Sequence, residues 1–102
     1  MQASGFSLFT IFDTKTQTYR APVIAKDETE IFRQLENNFS NPSTQYDPYV
    51  THAEDFQLFK VGSFDEKTAK ITPEITHVVN LHELKAAALQ RLKFQERALS
   101  AT

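Results

Sequence analysis

The chain has 102 residues, no cysteine and a formal net charge of −2 at pH 7. This length indicates one domain with one core, and the absence of cysteine excludes disulfide bridges and thiolate chemistry. The first residues carry no basic segment, and no apolar run is long enough for a signal peptide or a membrane span. We therefore expect a soluble intracellular protein without a membrane partner.

The charge is uneven along the chain. Residues 81–102 carry four basic and two acidic side chains, a net of +2, while the rest carries seven basic and eleven acidic ones, a net of −4. The acidic total argues against binding that depends mainly on phosphate neutralisation. The basic C-terminal segment is typical either of a binding element or of a solvated helix face.

The first half of the chain predicts a strand, an edge segment and a helix. Residues 6–13 have apolar side chains on both faces of a strand pattern, with Phe6, Leu8 and Phe12 on one face and Phe9 and Ile11 on the other. Such a strand is either interior, or covered by a helix on one side and by a partner subunit on the other. Residues 19–25 are a short extended piece, which Pro22 places at a sheet edge.

Asp27, followed three residues later by Glu30, has the pattern of a capping box and predicts a helix over 28–39. Residues 40–54 follow as a long loop. Its tyrosines, Tyr46 and Tyr49, either stack on nucleic-acid bases or pack against the core, and packing is the commoner outcome.

The second half predicts a hairpin and a helix. A polar turn joins a strand over 56–64, in which Gly62 indicates a bulge or a bend, to an extended segment over 70–79. Pro73 either makes this segment an edge strand or breaks it in two. Simple alternation puts Ile71, Ile75 and Val79 on one face. Residues 81–99 are strong helix formers, and their helix either covers the sheet or pairs with the same helix of a second copy.

These elements predict one α+β domain over residues 1–102. Its core, residues 6–79, is a small antiparallel sheet of three or four strands with one helix packed on it, and residues 80–102 form a C-terminal amphipathic helix.

No pattern in the chain predicts an active site. The two glycines cannot form a glycine-rich phosphate loop, and the three histidines lie at no ligand spacing, so we interpret His52, His77 and His82 as surface residues. The acidic pairs 54–55 and 65–66 flank a strand, where carboxylates usually stay solvated. We expect no catalytic residue, no metal site and no cofactor, and hence no enzyme.

Two stretches carry a family resemblance. The first combines FTIFDTK at 9–15, APVIA at 21–25, the predicted helix and NPST at 41–44, and the second is EDFQLFKVGSFDEKT at 54–68. Both resemble the small nonstructural protein of gokushovirus-like microviruses, the Microviridae, which are single-stranded DNA phages. Ala53 stands where that family often has Pro, and Ala69 where it often has Gly.

The resemblance implies a nonstructural, DNA-binding protein of the host cytoplasm. It also implies a likeness to the microvirus protein that shifts replication from duplex synthesis to single-strand synthesis and packaging. No catalytic residue comes with it.

The first hypothesis is therefore a homodimeric accessory protein that binds single-stranded DNA by base stacking and phosphate contacts. The candidate stacking residues are Tyr19, Tyr46, Tyr49 and Phe94, and the candidate phosphate contacts are Arg20, Lys60, Lys85, Arg91, Lys93 and Arg97. The alternative is a protein–protein adaptor that links the replication complex to a procapsid protein or a host factor. The long C-terminal helix and the strands that are apolar on both faces motivate this alternative.

Overall fold

The computed structural model describes residues 5–100, with the side chains of residues 5–91 and of Lys93. The strands of this part are β1 (Gly5–Asp13), β2 (Thr18–Tyr19), β3 (Val23–Ala25), β4 (Phe56–Asp65) and β5 (Lys70–Asn80). The helices are α1 (Glu28–Ser40), α2 (Pro48–Thr51) and α3 (Leu81–Ser100), and 3₁₀ turns occupy Pro42–Thr44 and Ala53–Asp55. The predicted α+β class is confirmed.

The strands form one antiparallel sheet that is four strands wide. β2 and β3 pair with successive parts of the same edge of β1, β1 pairs with β4, and β4 pairs with β5. Pro22 lies in the gap between β2 and β3, and Pro73 lies in β5, which has only β4 as a partner among the described strands. Both prolines are thus at sheet edges, because proline donates no ladder hydrogen bond. This confirms the prediction for Pro22, and of the two alternatives for Pro73 it selects the edge strand.

The two β-hairpins share one type of turn. The turns that follow Asp13 and Asp65 each have four residues, and each aspartate accepts a hydrogen bond from the backbone N–H two residues later, at 2.9 and 2.8 Å. The last turn residues, Gln17 and Ala69, have φ angles of 60° and 62°. This left-handed conformation favours glycine, so Ala69, which stands where the resembling family often has Gly, occupies its turn at some cost in strain.

Side-chain caps begin both long helices. At α1, Asp27 accepts a hydrogen bond from the Glu30 N–H at 3.0 Å, as the capping-box pattern predicts. The Glu30 carboxylate, however, accepts from the N–H of Lys26 at 2.9 Å rather than from that of the capping residue. At α3, Glu83 accepts from the Asn80 N–H at 3.4 Å, which satisfies a donor that the helix itself leaves unpaired.

One face of the sheet forms the core with α1 and the first half of α3. The buried apolar residues of this core are Phe9, Ala25, Ile31, Leu35, Phe39, Val50, Ala53, Phe56, Leu58, Leu81, Leu84 and Ala88. The sequence left two roles open for the C-terminal helix. Its first half covers the sheet. Pairing with a second copy stays a prediction.

The predicted loop over 40–54 is wrong in part, because α2 and the two 3₁₀ turns lie within it. Its Val50 and Ala53 enter the core, and the ammonium of Lys85 donates a hydrogen bond to the Val50 carbonyl oxygen at 2.6 Å. The segment is thus fixed to α3 at its centre. In the part of the chain that the structure describes, no helix combines the length and apolarity that a membrane crossing requires.

Candidate nucleic-acid interface

The two faces of the sheet differ in what lies against them. Residues paired across antiparallel strands share a face, so Ile11, Leu58 and Val79 lie together on the face that packs against the helices. We call this the covered face and the opposite one the open face. The open face carries four cross-strand rows: Tyr19, Phe12, Gln57 and Asn80; Thr10, Phe59 and His77; Ile24, Leu8, Gly62 and Pro73; and Phe6, Phe64 and Ile71.

The open face is mostly apolar, and much of it is accessible, although Thr10 and Gly62 within its rows are buried. None of its row residues belongs to the core formed with the helices, and none is Lys, Arg, Asp or Glu. Tyr19, Ile24 and Ile71 are 49%, 53% and 58% exposed. A contiguous exposed apolar surface of this kind usually marks an interaction site.

Four rings form a continuous patch at one end of this face, which we call the aromatic platform: Phe12, Tyr19, Phe59 and His77. The Phe12 and Tyr19 centroids are 4.6 Å apart, the Tyr19 and Phe59 rings meet edge to face at 5.5 Å, and Phe59 meets His77 at 5.4 Å. The His77 Nε2 atom lies 2.9 Å from the Asn80 Oδ1 atom. The Phe12 and Tyr19 rings are tilted by 44°, and edge-to-face contacts such as the other two are a preferred arrangement of aromatic rings.

A β-bulge completes the platform. The pairing of β4 with β5 shifts between Leu58 and Phe59, so that Val78 is an extra residue and His77 stands opposite Phe59. With uninterrupted pairing Phe59 would face Val78, which instead packs against the core. The histidine that we interpreted only as a surface residue is thereby part of a cluster.

The bulges also correct the predicted alternation of β5. Ile71 pairs with Phe64 on the open face, whereas Val79 pairs with Leu58 on the covered face. The prediction that Ile71 and Val79 share a face is wrong, because each inserted residue reverses the faces of the residues beyond it. Nothing in the alternation of apolar residues marks where such an insertion falls.

The predicted stacking residues lie in different places. Tyr19 is in the platform, and Tyr46 is 84% exposed on the segment before α2. Tyr49 packs edge to face on Phe56 at 4.7 Å and lies 5.8 Å from the Arg20 guanidinium, which covers its ring. The side chain of Phe94 lies outside the described residues. The sequence reasoning missed Phe12 and Phe59 as site residues, although the apolar residues on both strand faces were their signal.

Arg91, a predicted phosphate contact, is held by a carboxylate. Its guanidinium donates two hydrogen bonds to Glu36 on α1, at 2.7 and 2.8 Å. These hydrogen bonds hold the pKa of the Glu36 carboxyl below its ordinary value and raise the pKa of Arg91. The bidentate geometry fixes α3 against α1.

The other predicted phosphate contacts are also scattered. Lys85 is bonded to the Val50 carbonyl oxygen, Lys60 lines a cavity on the covered face, and Lys93 is exposed on α3. The side chain of Arg97 lies outside the described residues. None of the described cations belongs to the rows of the open face, so the platform itself offers rings and not charge. The described residues contain no group of three or more His, Asp or Glu side chains placed to hold a metal ion.

A protein-family model described as Phage ORF5 protein matches residues 6–84. The match covers more than half of the chain and spans β2 to β5, nearly all of β1, and the beginning of α3. No curated protein and no solved structure matches the chain.

Proposed function

We propose that this chain, which belongs to the Phage ORF5 protein family, binds single-stranded DNA on its aromatic platform. The family membership makes it a phage accessory protein. The further proposal is a non-catalytic role in genome replication and packaging, in the host cytoplasm and as a homodimer. The observation that carries the proposal is the cluster of Phe12, Tyr19, Phe59 and His77 on a sheet face that no core contact covers.

Stacking is the interaction that such a surface provides. Every base has a π face, so exposed rings on a sheet bind unpaired bases with little sequence preference, and sheet domains that bind RNA use two or three rings in this way. A base inside a duplex has no free face of this kind. The platform should therefore favour single strands over duplex.

The charge of the molecule limits how tightly it binds. With a net charge of −2, the chain gains little affinity from long-range attraction to phosphate. The row residues of the open face carry no opposing carboxylate either, so they do not repel the strand. We expect modest affinity for DNA. It should fall with rising salt concentration only to the extent that individual Lys or Arg side chains contact phosphates of the DNA backbone.

Fluorescence anisotropy of a labelled, unstructured thymidine oligomer tests the proposal, at two salt concentrations and with duplex as competitor. Tyr19→Ala and Phe59→Ala each remove a platform ring, and each should weaken binding about 5- to 150-fold, the range for one stacked base. Tyr46→Ala is the matched control, because it removes an exposed tyrosine that has no contact with the platform. That variant should bind like the unchanged protein.

Phe59→Leu keeps an apolar side chain in the sheet and removes only the ring, so it separates stacking from folding. Circular dichroism of each variant checks that the sheet is intact. Unchanged affinity in both Phe59→Leu and Tyr19→Ala would exclude the platform as the binding surface. No binding of the unchanged protein at low salt would refute the DNA proposal.

A second candidate function, the protein–protein adaptor, has its own observation. β5 runs from Lys70 to Asn80, and its outer edge pairs with no strand of the described chain. Its Ile75 is 69% exposed. Exposed strand edges accept a strand from a partner. Light scattering of the chain alone, and with the replication and procapsid proteins of its phage, would detect such a complex, and Ile75→Lys should weaken it.

A further inference from the structure

A polar cavity lies on the covered face, beyond the part that the helices occupy. Its volume is about 320 Å³, and no residue of α1, α2 or α3 lines it. The lining residues that concern its chemistry are Lys26, Lys60, Lys70, Ser7, Ser63, Thr72 and Asp65. We call this cavity the lysine pocket.

The strand register explains why these side chains converge. Ser7 pairs with Ser63, which in turn pairs with Thr72, so three hydroxyl side chains form one row across β1, β4 and β5. In the next row Asp65 pairs with Lys70. Paired residues share a face, and this face is the one that carries the core. The apolar residues end here, and hydroxyl and ammonium groups replace them.

Three ammonium groups and one carboxylate surround the pocket, although the chain as a whole is acidic. Among the described residues, the ion pair within 4.0 Å joins Arg91 and Glu36. None of the three lysines of the pocket is therefore paired with a carboxylate. The Asp65 carboxylate accepts a hydrogen bond from the N–H of Lys67 in its own turn at 2.8 Å. The pocket therefore has an excess of positive charge and free donors.

We propose that the lysine pocket binds a phosphate group. Lysine binds phosphate as a compact charge with several donors, and the hydroxyls of Ser7, Ser63 and Thr72 add neutral donors on one side. Phe6 and Phe64 also line the cavity, although their strand positions belong to a row of the open face. The groups that distinguish the lysine pocket are its ammonium and hydroxyl groups, and these recognise the phosphate.

The phosphate has two possible sources. One is the backbone of the DNA strand whose bases stack on the platform, and in that case the inference rests on the proposed function. The other is a small phosphate such as the inorganic ion or a nucleoside monophosphate. The pocket and the platform lie on opposite faces of the same strands, so a bound strand reaches both only by passing around the sheet.

The first measurement is an amide NMR titration of the full chain with inorganic phosphate, against sodium chloride at the same ionic strength. We expect saturable shifts at the amides of Ser7, Ser63 and Thr72. The double variant Lys60→Gln/Lys70→Gln should lose them. Lys15→Gln/Lys67→Gln is the matched control, because it removes the same charge from the two hairpin turns, outside the pocket lining.

The second measurement is the salt dependence of the thymidine oligomer affinity for the same variants. If the phosphate is that of the strand, the slope of log K against log salt should fall by about 0.7 for each lost contact. If the slope is unchanged in the Lys60→Gln/Lys70→Gln variant, while the unchanged protein shows the phosphate shifts and the variant has lost them, the pocket binds a small phosphate and the proposal is supported. Absent shifts in the unchanged protein, or equal shifts in the Lys60→Gln/Lys70→Gln variant, overturn it. If the oligomer does not bind at all, the titration still decides about the pocket.

Discussion

The two faces of the sheet are built from the same strands, yet only one of them becomes core. On β1, Phe9 is fully buried on the covered face, while Phe12 on the open face stays partly exposed next to Tyr19. The difference does not come from apolarity, because both faces carry phenylalanines. It comes from the helices, since the core that they form with the sheet includes residues of the covered face only. An apolar strand face thus predicts that another surface packs against it, but not whether that surface belongs to the same chain or to a partner.

The largest expected effect is on the covered face. Phe9→Ala removes a ring with 0% exposure and should lower the free energy of unfolding by about 3–5 kcal/mol. Phe59→Ala removes the same ring from the open face and should cost clearly less, because water already reaches that side chain. Urea denaturation of both variants checks the contrast, and an equal loss would mean that the open face is part of the core.

Lys85→Met separates a role in the fold from a role in binding. The Lys85 ammonium donates to the Val50 carbonyl oxygen, a charge-assisted hydrogen bond whose loss should cost about 1.5–3 kcal/mol. DNA affinity should stay unchanged, although the sequence predicts a phosphate contact here. Lys93→Met, which removes an exposed lysine from the same helix, should leave stability unchanged. The reverse result, in which Lys85→Met weakens DNA binding at constant stability, would restore Lys85 as a phosphate contact.

A hairpin turn belongs to neither face, so it should change stability and nothing else. Ala69 has a φ of 62°, and a non-glycine residue in this region costs about 1 kcal/mol or more. Ala69→Gly should therefore stabilise the protein by about 1 kcal/mol. Part of this gain is offset, because glycine raises the conformational entropy of the unfolded chain. Thermal denaturation measures the gain. Gln17→Gly tests the same turn in the other hairpin, and lower stability in both variants would contradict the strain argument.

Local patterns predicted most of the fold. The capping residue Asp27, the edge position of Pro22 and the two-sided alternation of β1 each depend on neighbours in sequence, and each is confirmed. Gly62 indicates a bulge or a bend in β4, and the pairing of β4 with both β1 and β5 is shifted beside it. The insertion of Val78 in β5 was beyond reach, because it depends on how two strands fit together. Since one bulge sets His77 beside Phe59, the platform could not be assembled from the sequence.

The candidate site was predictable only in part for a related reason. Tyr19, a candidate stacking residue, is exposed and lies in the platform, whereas the basic candidates were chosen by charge alone. Charge in a sequence does not reveal an intramolecular partner such as Glu36 for Arg91. The lysine pocket shows the opposite case, because its residues come from four separate parts of the chain and only the register unites them.

The smallest effect concerns the ion pair on the helix side of the covered face. Because Arg91 lowers the pKa of Glu36 from its ordinary value of 4.5, the pair stabilises the fold fully above that pH. The contribution is lost as pH falls through the lower pKa of the folded state. Glu36→Gln should remove this part of the pH dependence of the melting temperature. The effect should be small and screened by salt, since the Arg91 side chain is 58% exposed.

Variants of the same ion pair test whether Arg91 contacts phosphate or only joins α3 to α1. Glu36→Gln frees the guanidinium, so a phosphate-binding Arg91 would bind DNA more tightly in that variant and less tightly in Arg91→Gln. If Arg91 serves only to join α3 to α1, both variants should lose the same stability and keep the same DNA affinity. We expect the second result, because the bidentate hydrogen bonds at 2.7 and 2.8 Å already occupy donors on both terminal nitrogens of the guanidinium. The open face would then bind the strand without help from this cation.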